Sequence, residues 1–247
     1  MKINLKEKLN KLSEYLFVND YKCIICNREI VKNSRYSMCD KCLKSLPYIT
    51  HSCNICGESI EQGNLCLNCK RTLPSITKNI SVFDYTNPID KLVYGLKYGN
   101  KKYLAKYLSN FMVDKFLESD LNVDFIVPVS MHRFRLKERG YNQAELLCDS
   151  FKSLNIEIKY NLVERIVNTV SQTSLPREKR LVNLTNVFRV LDKKQVKNKN
   201  ILIIDDVYTT GTTVGEIAKV LTKAGANKVY SLTLCHSVYE VPMYPAK

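Results

Sequence analysis

The chain has 247 residues, of which 45% are hydrophobic and 25% are charged, and its formal net charge is +14. This composition is ordinary for a globular protein and excludes fibrous and disordered classes, and the length suffices for one α/β domain with a small additional module. The positive charge favours anionic partners, with nucleic acid and phosphate-bearing small molecules as the two alternatives.

The first segment, residues 1–19, is predicted to form an amphipathic helix. Its apolar residues recur at helical spacing, at Ile3, Leu5, Leu9, Leu12 and Leu16. Lys and Glu interrupt this pattern, unlike the continuous apolar core of a signal peptide. No apolar run approaches the roughly 20 residues that cross a bilayer. We therefore expect a cytoplasmic protein without a membrane span.

Residues 20–72 are predicted to form a cysteine-rich zinc-binding module. Eight of the ten cysteines form four C-x-x-C pairs, at Cys23 and Cys26, Cys39 and Cys42, Cys53 and Cys56, and Cys66 and Cys69. In a reducing compartment such pairs favour metal ligation over disulfides, because two thiolates on one turn can bind one face of a tetrahedral Zn²⁺. One zinc or two, bound sequentially or in a cross-braced order, are alternatives that the spacing leaves open. A site of four cysteines has no open ligand position, so the zinc is expected to be structural.

The C-x-x-C pairs end before Pro74, and residues 75–247 are predicted to form a second, α/β domain. Near its start, the segment 94–112 interleaves Tyr with Lys. Its large apolar residues follow helical spacing, at Tyr103, Leu104, Tyr107, Leu108, Phe111 and Met112. This spacing predicts a core-facing stripe, with stacking on bases of single-stranded nucleic acid as the alternative.

Residues 200–234 are predicted to form a strand, a loop, a helix and a second strand. The apolar run Ile201 to Ile204 is typical of a strand buried on both faces of a parallel sheet, and it leads into Asp205 and Asp206. A loop rich in Thr and Gly follows and enters a helix that stops at Gly225. Free N–H groups at a helix start can bind phosphate, and acids at the end of a strand can bind ribose hydroxyls.

The segment ILIIDDVYTTGTT resembles the phosphoribosyl pyrophosphate (PRPP) signature of type I phosphoribosyltransferases. The resemblance implies that Asp205 and Asp206 are catalytic-site acids that bind the ribose hydroxyls, with Mg²⁺ accompanying PRPP. It implies that the 5-phosphate is bound by Thr209, Thr210, Gly211, Thr212 and Thr213. Enzymes of this class that act on 6-oxopurines carry a carboxylate where this chain has Thr209, so those acceptors are disfavoured.

Residues 96–108, 124–147 and 165–188, together with the cysteine module, resemble the ComF family of competence-associated proteins, specifically its ComFC-like members. The resemblance implies a mainly parallel, twisted, phosphoribosyltransferase-like sheet with helices on both faces, plus a small N-terminal zinc-ribbon-like module. It implies a pyrophosphate loop with Ser130, Met131, His132, Arg135 and Arg139. It also implies a flexible hood with Thr169, Gln172, Arg177 and Arg180.

The family resemblance implies a PRPP-binding protein that takes part in natural transformation, the uptake of single-stranded DNA into the cytoplasm. One hypothesis is an active phosphoribosyltransferase with an unknown acceptor, serving nucleotide salvage or another reaction. Another is a non-catalytic protein that binds PRPP or nucleic acid. In a third, the zinc module docks to a competence helicase or an inner-membrane DNA channel.

Overall fold

A computed structural model describes residues 22–30, 35–167 and 187–237. The chain divides into two compact units, with the boundary between Leu46 and Pro47. The predicted helix of residues 1–19 and the predicted hood, with Thr169, Gln172, Arg177 and Arg180, lie outside the described residues. Within the described ranges, no helix has both the length and the apolar character needed to cross a membrane.

The first unit contains a cysteine-bearing turn and a short helix, α1 (Asp40–Lys44). The N–H of Cys23 donates to the carbonyl of Arg28 at 2.7 Å, and the N–H of Asn27 donates to the carbonyl of Cys23 at 2.9 Å. These bonds close a tight turn between Cys23 and Cys26. Cys39 is the N-cap residue of α1. The first unit therefore carries one cysteine pair on a turn and the other pair at the start of a helix.

The second unit begins with a repeat of the same local structure. The N–H of Cys53 donates to the carbonyl of Glu58 at 2.8 Å, and the N–H of Gly57 donates to the carbonyl of Cys53 at 3.0 Å. Cys66 is the N-cap residue of helix α2 (Leu67–Arg71) and accepts from the N–H of Cys69. The two cysteine regions are thus structural repeats of each other.

The rest of the second unit is built on a five-stranded sheet in the order β1-β7-β6-β2-β3, and all of its neighbouring strands are parallel. Its strands are β1 (Lys78–Asp84), β2 (Phe125–Pro128), β3 (Glu157–Ile158), β6 (Asn200–Tyr208) and β7 (Lys228–His236). A separate antiparallel pair consists of β4 (Val163–Arg165) and β5 (Phe188–Val190).

Helices connect these strands and cover the sheet. They are α3 (Ile89–Tyr98), α4 (Leu104–Leu117), α5 (Arg133–Arg139), α6 (Gln143–Leu147), a 3₁₀ helix (Asp149–Leu154) and α7 (Thr212–Lys223). Ile201 and Ile203 of β6 share a buried cluster with the apolar side of α7. Leu202 and Ile204, whose side chains point to the opposite face, are also fully buried. Both faces of the sheet are therefore covered, which confirms the predicted fold class.

The predicted strand–loop–helix–strand unit is present, with longer strands than the apolar runs alone indicated. Strand β6 continues through Asp205 and Asp206 to Tyr208, because its partner β7 pairs with it as far as His236. The chain turns after α7 at Gly225, whose φ of +98° is left-handed. The aromatic stripe of residues 103–112 is buried except for Tyr103, which is 45% exposed because it precedes the first turn of α4.

Candidate functional site

The acid pair lies near the carboxyl end of the central strand β6, at the carboxyl edge of the sheet and two residues before the strand ends at Tyr208. Asp205 and Asp206 are 8% and 3% exposed, although carboxylates are rarely buried without a partner. The apolar residues that precede them fix the strand between β2 and β7, so the position of the acids is set by the core. In open α/β sheets this edge is where ligands bind.

Directly after β6, the chain forms a short loop that leads into α7. Gly211 has a φ of +70° and stands at the N-cap of the helix. The hydroxyl oxygens of Thr210 and Thr212 lie 2.6 Å apart, and the N–H of Thr212 donates to the Thr210 hydroxyl at 3.4 Å. The loop and the first turn of α7 therefore present hydroxyl groups and helix-start N–H groups together, as an anion-binding loop does. We call residues 209–213 the phosphate loop.

A cavity of about 680 Å³ opens at this edge of the sheet. Its lining includes eight of the predicted site residues, namely Ser130, Met131, Arg135, Arg139, Asp205, Asp206, Thr209 and Thr213. Thr210, Gly211 and Thr212 belong to the phosphate loop but do not line the cavity. His132 is buried beside it as the N-cap residue of α5, where its ring nitrogen accepts from the N–H of Phe134 at 3.4 Å.

The basic segment after β2 is largely helical, whereas the sequence indicated a loop. Helix α5 begins after His132 and ends at Gly140, whose φ of +76° closes the last turn. Asn142 then starts α6 and donates from Nδ2 to the carbonyl of Val129 at 3.0 Å. Arg139 donates to Oε1 of Gln143 at 2.6 Å, across the junction of the two helices. The predicted pyrophosphate-loop residues are thus held by two capped helices.

Arginine side chains form a basic wall of the cavity. Burial lowers the pKa of Arg135, and the neighbouring charge of Arg139 lowers it further. Arg165, from β4, also lines the cavity, and burial together with the charge of Arg135 lowers its pKa to about 10. Like charges held close together in a partly dry site favour an anionic ligand, because an anion offsets their mutual repulsion.

The two acids and Lys97 line the cavity as well. Nζ of Lys97 lies 2.7 Å from Oδ1 of Asp206. Burial works to lower the pKa of Lys97, but attraction to Asp206 more than offsets it and the pKa is raised. Burial and the charge of Asp206 raise the pKa of Asp205 to about 7. Oδ2 of Asp206 is buried without a hydrogen-bond partner among the described residues, so it is left to accept a bond from a ligand.

Ten of the residues that line the cavity were not identified as site residues from the sequence, and Lys97, Tyr98 and Arg165 are among them. Lys97 and Tyr98 come from the end of α3, and Arg165 comes from β4. The ring of Tyr98 lies 5.1 Å from the guanidinium of Arg139. The only sequence signal for the first two was their position within the family-like segment of residues 96–108.

The cysteines form two separate clusters, each drawn from consecutive pairs. One contains Cys23, Cys26, Cys39 and Cys42, and the other contains Cys53, Cys56, Cys66 and Cys69, with the four sulfur atoms of each within 4.8 Å of one another. Sulfur distances are 3.7 Å between Cys26 and Cys39 and 3.5 Å between Cys56 and Cys66. Tetrahedral Zn²⁺ with bonds of about 2.3 Å requires sulfur separations of about 3.8 Å, so both clusters fit structural zinc. The grouping is sequential.

Within the second cluster thiolate formation is favoured at Cys53, whereas burial raises the pKa of Cys56, Cys66 and Cys69. Burial opposes ionisation of Cys53, but hydrogen bonds from backbone N–H groups, including those of Cys56 and Cys66, lower its pKa to about 7. Zinc binds thiolates rather than thiols, so this cysteine is prepared for metal at neutral pH.

Two sequence families match parts of the chain. The family described as Double zinc ribbon domain matches residues 13–74, and the family described as Phosphoribosyl transferase domain matches residues 152–240. The first match spans both cysteine clusters. The second spans β6, the acid pair and the phosphate loop.

Several curated proteins are similar over most of the chain. Competence protein F of Haemophilus influenzae is 32% identical over 220 residues, which cover 85% of this chain and 94% of that protein. DNA utilization protein YhgH of Salmonella typhimurium is 30% identical, covering 87% of this chain and 97% of the relative. Competence protein ComFC of Bacillus subtilis is 26% identical, with coverage of 87% and 95%.

Proposed function

The chain belongs to the ComF family of competence proteins, and we propose that its second unit binds PRPP in the cavity at the end of β6. The observation that carries the proposal is that two chemically different sets of side chains line this cavity. They are the acids Asp205 and Asp206, and the bases Arg135, Arg139 and Arg165. PRPP carries hydroxyl donors on its ribose, a 5-phosphate and a pyrophosphate, so it presents partners for both sets.

The phosphate loop suits the 5-phosphate, because hydroxyl groups and helix-start N–H groups converge there. The acid pair suits the ribose hydroxyls, since Oδ2 of Asp206 is a buried acceptor without a partner among the described residues. The arginines suit the pyrophosphate, as guanidinium groups bind phosphate oxygens in pairs. The relatives named as competence proteins and the match to the phosphoribosyl transferase family agree with this assignment.

Mg²⁺ fits the same site, because carboxylate oxygens together with substrate phosphates are its usual ligands in proteins. Asp205 and Asp206 are the residues that would hold it with PRPP. When bound, Mg²⁺ supplies compensation for the negative charge of the departing pyrophosphate. The arginines of the basic wall would stabilise the same charge.

Calorimetric titration of the full-length protein with PRPP and Mg²⁺ tests the proposal. Ribose 5-phosphate should bind more weakly than PRPP, because it lacks the pyrophosphate, and ATP serves as a polyphosphate control. Binding of ATP as tightly as PRPP would contradict a ribosyl-specific site. A pyrophosphate-release assay over nucleobases and other nitrogen acceptors then separates an active phosphoribosyltransferase from a protein that binds PRPP without turnover.

We further propose that PRPP binding serves the uptake of single-stranded DNA in the cytoplasm. The relatives include proteins named for competence and for DNA utilization, and the net charge of +14 favours contact with a polyanion. A competence helicase or the inner-membrane DNA channel is the protein partner that this role requires. Transformation frequency in a strain with Asp205→Asn and Asp206→Asn tests the link, because a role that depends on PRPP predicts loss of transformants with normal protein levels.

A further inference from the structure

Tyr208 lies between the second cysteine cluster and the phosphate loop. It is the last residue of β6, is 4% exposed, and shares one buried cluster with Cys53, Cys56, Cys66, Cys69 and the inner side of α7. On its other side the ring lies against Gly211. A Cβ at Gly211 would come within 2.1 Å of the Tyr208 hydroxyl oxygen and 2.4 Å of Cζ. Tyr208 therefore contacts the backbone of the phosphate loop directly.

His236 extends this contact toward the cysteines. Its ring is stacked on Tyr208, with centroids 5.2 Å apart and planes inclined by 26°. It is 3% exposed, and neither ring nitrogen has a hydrogen-bond partner among the described residues. One of these nitrogens lies within 4.8 Å of the Cys56 sulfur and of a Glu58 carboxylate oxygen. A zinc-bound thiolate is an acceptor, so a small movement of the His236 ring would allow its N–H to donate to Cys56.

The turn that carries Cys53 and Cys56 is also hydrogen-bonded to strand β1 of the sheet. Nδ2 of Asn79 donates to the carbonyl of Cys56 at 2.8 Å, and the N–H of Asn79 donates to the carbonyl of Ile55 at 2.6 Å. Oδ1 of Asn79 accepts from the hydroxyl of Ser231 at 2.7 Å. A Cβ at Gly57 would come within 2.9 Å of the Asn79 carbonyl oxygen. Asn79 of β1, itself bonded to Ser231 of β7, therefore holds the turn in place, and the backbone at Gly57 packs closely against it.

We propose that zinc at the second cluster holds the phosphate loop in its binding conformation through Tyr208 and His236, so that zinc and a loop-bound phosphate ligand stabilise each other. Tyr208 and His236 are positioning residues, since Tyr208 acts on the ligand through Gly211 and His236 acts through Tyr208. The identity of the ligand rests on the proposed function. Because coupling between two binding sites is reciprocal, PRPP must raise the affinity of this cluster for zinc, and we expect this gain to appear as slower loss of zinc.

The test follows zinc release from the full-length protein into an excess of a colorimetric chelator, with Mg²⁺ present throughout and with or without PRPP. A Cys26→Ser variant, which lacks a ligand of the first cluster, identifies the release phase of the second. We expect PRPP to slow this phase about tenfold, within the usual range of allosteric coupling, and to leave the first phase unchanged.

Two negative results have different meanings. Absence of PRPP binding by calorimetry would overturn the proposed function, and with it the coupling. Binding of PRPP with an unchanged release rate from the second cluster would overturn this inference and leave the proposed function standing. The wild-type comparison needs no variant, so both results are obtained even where substitutions impair folding.

Variants of Tyr208 separate positioning from general stability. Tyr208→Phe keeps the ring against Gly211 and His236, and we expect it to retain the coupling. Tyr208→Leu removes the ring and should abolish the protection of zinc by PRPP while both zinc ions remain bound. His236→Phe keeps the stacked ring without the N–H donor and should release the second zinc faster in the absence of ligand. Full protection in Tyr208→Leu would contradict the assignment.

Discussion

Nζ of Lys97 lies 2.7 Å from Oδ1 of Asp206 at the end of the central strand, so the acid that faces the cavity already has a counter-ion from helix α3. The other oxygen of the same carboxylate has no partner among the described residues. One oxygen of the Asp206 carboxylate is therefore already paired with Lys97. A ligand must either share this carboxylate with Lys97 or displace the Lys97 side chain from it.

Replacing Lys97 with Met should destabilise the protein strongly. Removal of one partner of a buried ion pair costs about 3–5 kcal/mol, because the other charge stays buried. Lys91→Met is the matched control, since Lys91 is exposed on the same helix. Thermal unfolding should show a lower Tm for the Lys97 variant alone, and millimolar Mg²⁺ should raise that Tm more than it raises the wild-type value. Equal Tm values for the two variants would show that the pair contributes little.

The double change of Asp205→Asn and Asp206→Asn should remove PRPP binding. Hydrogen bonds to charged groups contribute about 1.5–3 kcal/mol each, so the loss of both should weaken affinity at least about a hundredfold. Asp120→Asn makes the same chemical change at an exposed residue with a φ of +51°, a conformation that Asn tolerates. Calorimetry should find wild-type affinity in that control. Retained PRPP affinity in the double variant would show that Asp205 and Asp206 do not bind PRPP.

The pH dependence of stability should contain a contribution from Asp205. Its pKa is raised from 3.8 to about 7 by burial and by the charge of Asp206. The folded state therefore holds this proton more tightly than the unfolded state does. The resulting stability is fully present below about pH 4 and is lost as the pH rises through about 7, by at most about 1.4 kcal/mol per pH unit. Between pH 5 and pH 8 the Tm of ligand-free wild type should fall more than that of Asp205→Asn. Parallel curves would mean that Asp205 ionises normally.

The sequential grouping of the cysteines predicts zinc stoichiometry. The double variant Cys26→Ser, Cys39→Ser removes two ligands of one cluster and should retain one zinc per chain. The double variant Cys26→Ser, Cys56→Ser removes one ligand from each cluster and should lose both. Elemental analysis of purified protein distinguishes these results. A cross-braced arrangement of the four pairs would give the opposite pattern.

Arg135 and Arg139 should bind the pyrophosphate group, so replacing both with Ala should weaken PRPP at least about tenfold, given about 1.5–3 kcal/mol for each bond to a charged group. Arg133 and Lys137 provide the matched control, because they are exposed on the same helix and do not line the cavity. If single-stranded DNA crosses the same site, the slope of log affinity against log salt should fall by about 0.7 for each DNA phosphate that the variant no longer binds. An unchanged slope with weakened PRPP would place DNA on another surface.

The strand–loop–helix unit around β6 could be predicted because its signals are local. A continuous apolar run is long enough for a strand but not for a helix, and the residues after it recur at helical spacing up to Gly225. The C-x-x-C pairs could also be identified from the sequence, because the two cysteines of a pair lie on one turn and indicate metal ligation there. The division of the four pairs into two clusters could not be predicted, because every way of combining the pairs is compatible with their spacing.

Other parts of the site depend on tertiary structure. Lys97 meets Asp206 only because α3 packs near the end of β6, and no pattern in the sequence relates residues so far apart. Arg165 reaches the cavity from a strand of only three residues. The helix over the basic segment had a local signal in Gly140, whereas the family resemblance implied a pyrophosphate loop there. The predicted roles of Asp205, Asp206 and the phosphate-loop residues stay predictions until ligand binding is measured.

The order of the strands has a consequence for synthesis on the ribosome. Each cysteine cluster uses ligands fewer than about 20 residues apart, so it can close as soon as its own segment emerges. Strand β1, made next, pairs with β7, which is the last strand of the described chain. The edge of β1 that faces β7 must therefore stay unpaired until β7 has been translated. We expect nascent chains to acquire zinc early and the parallel sheet last.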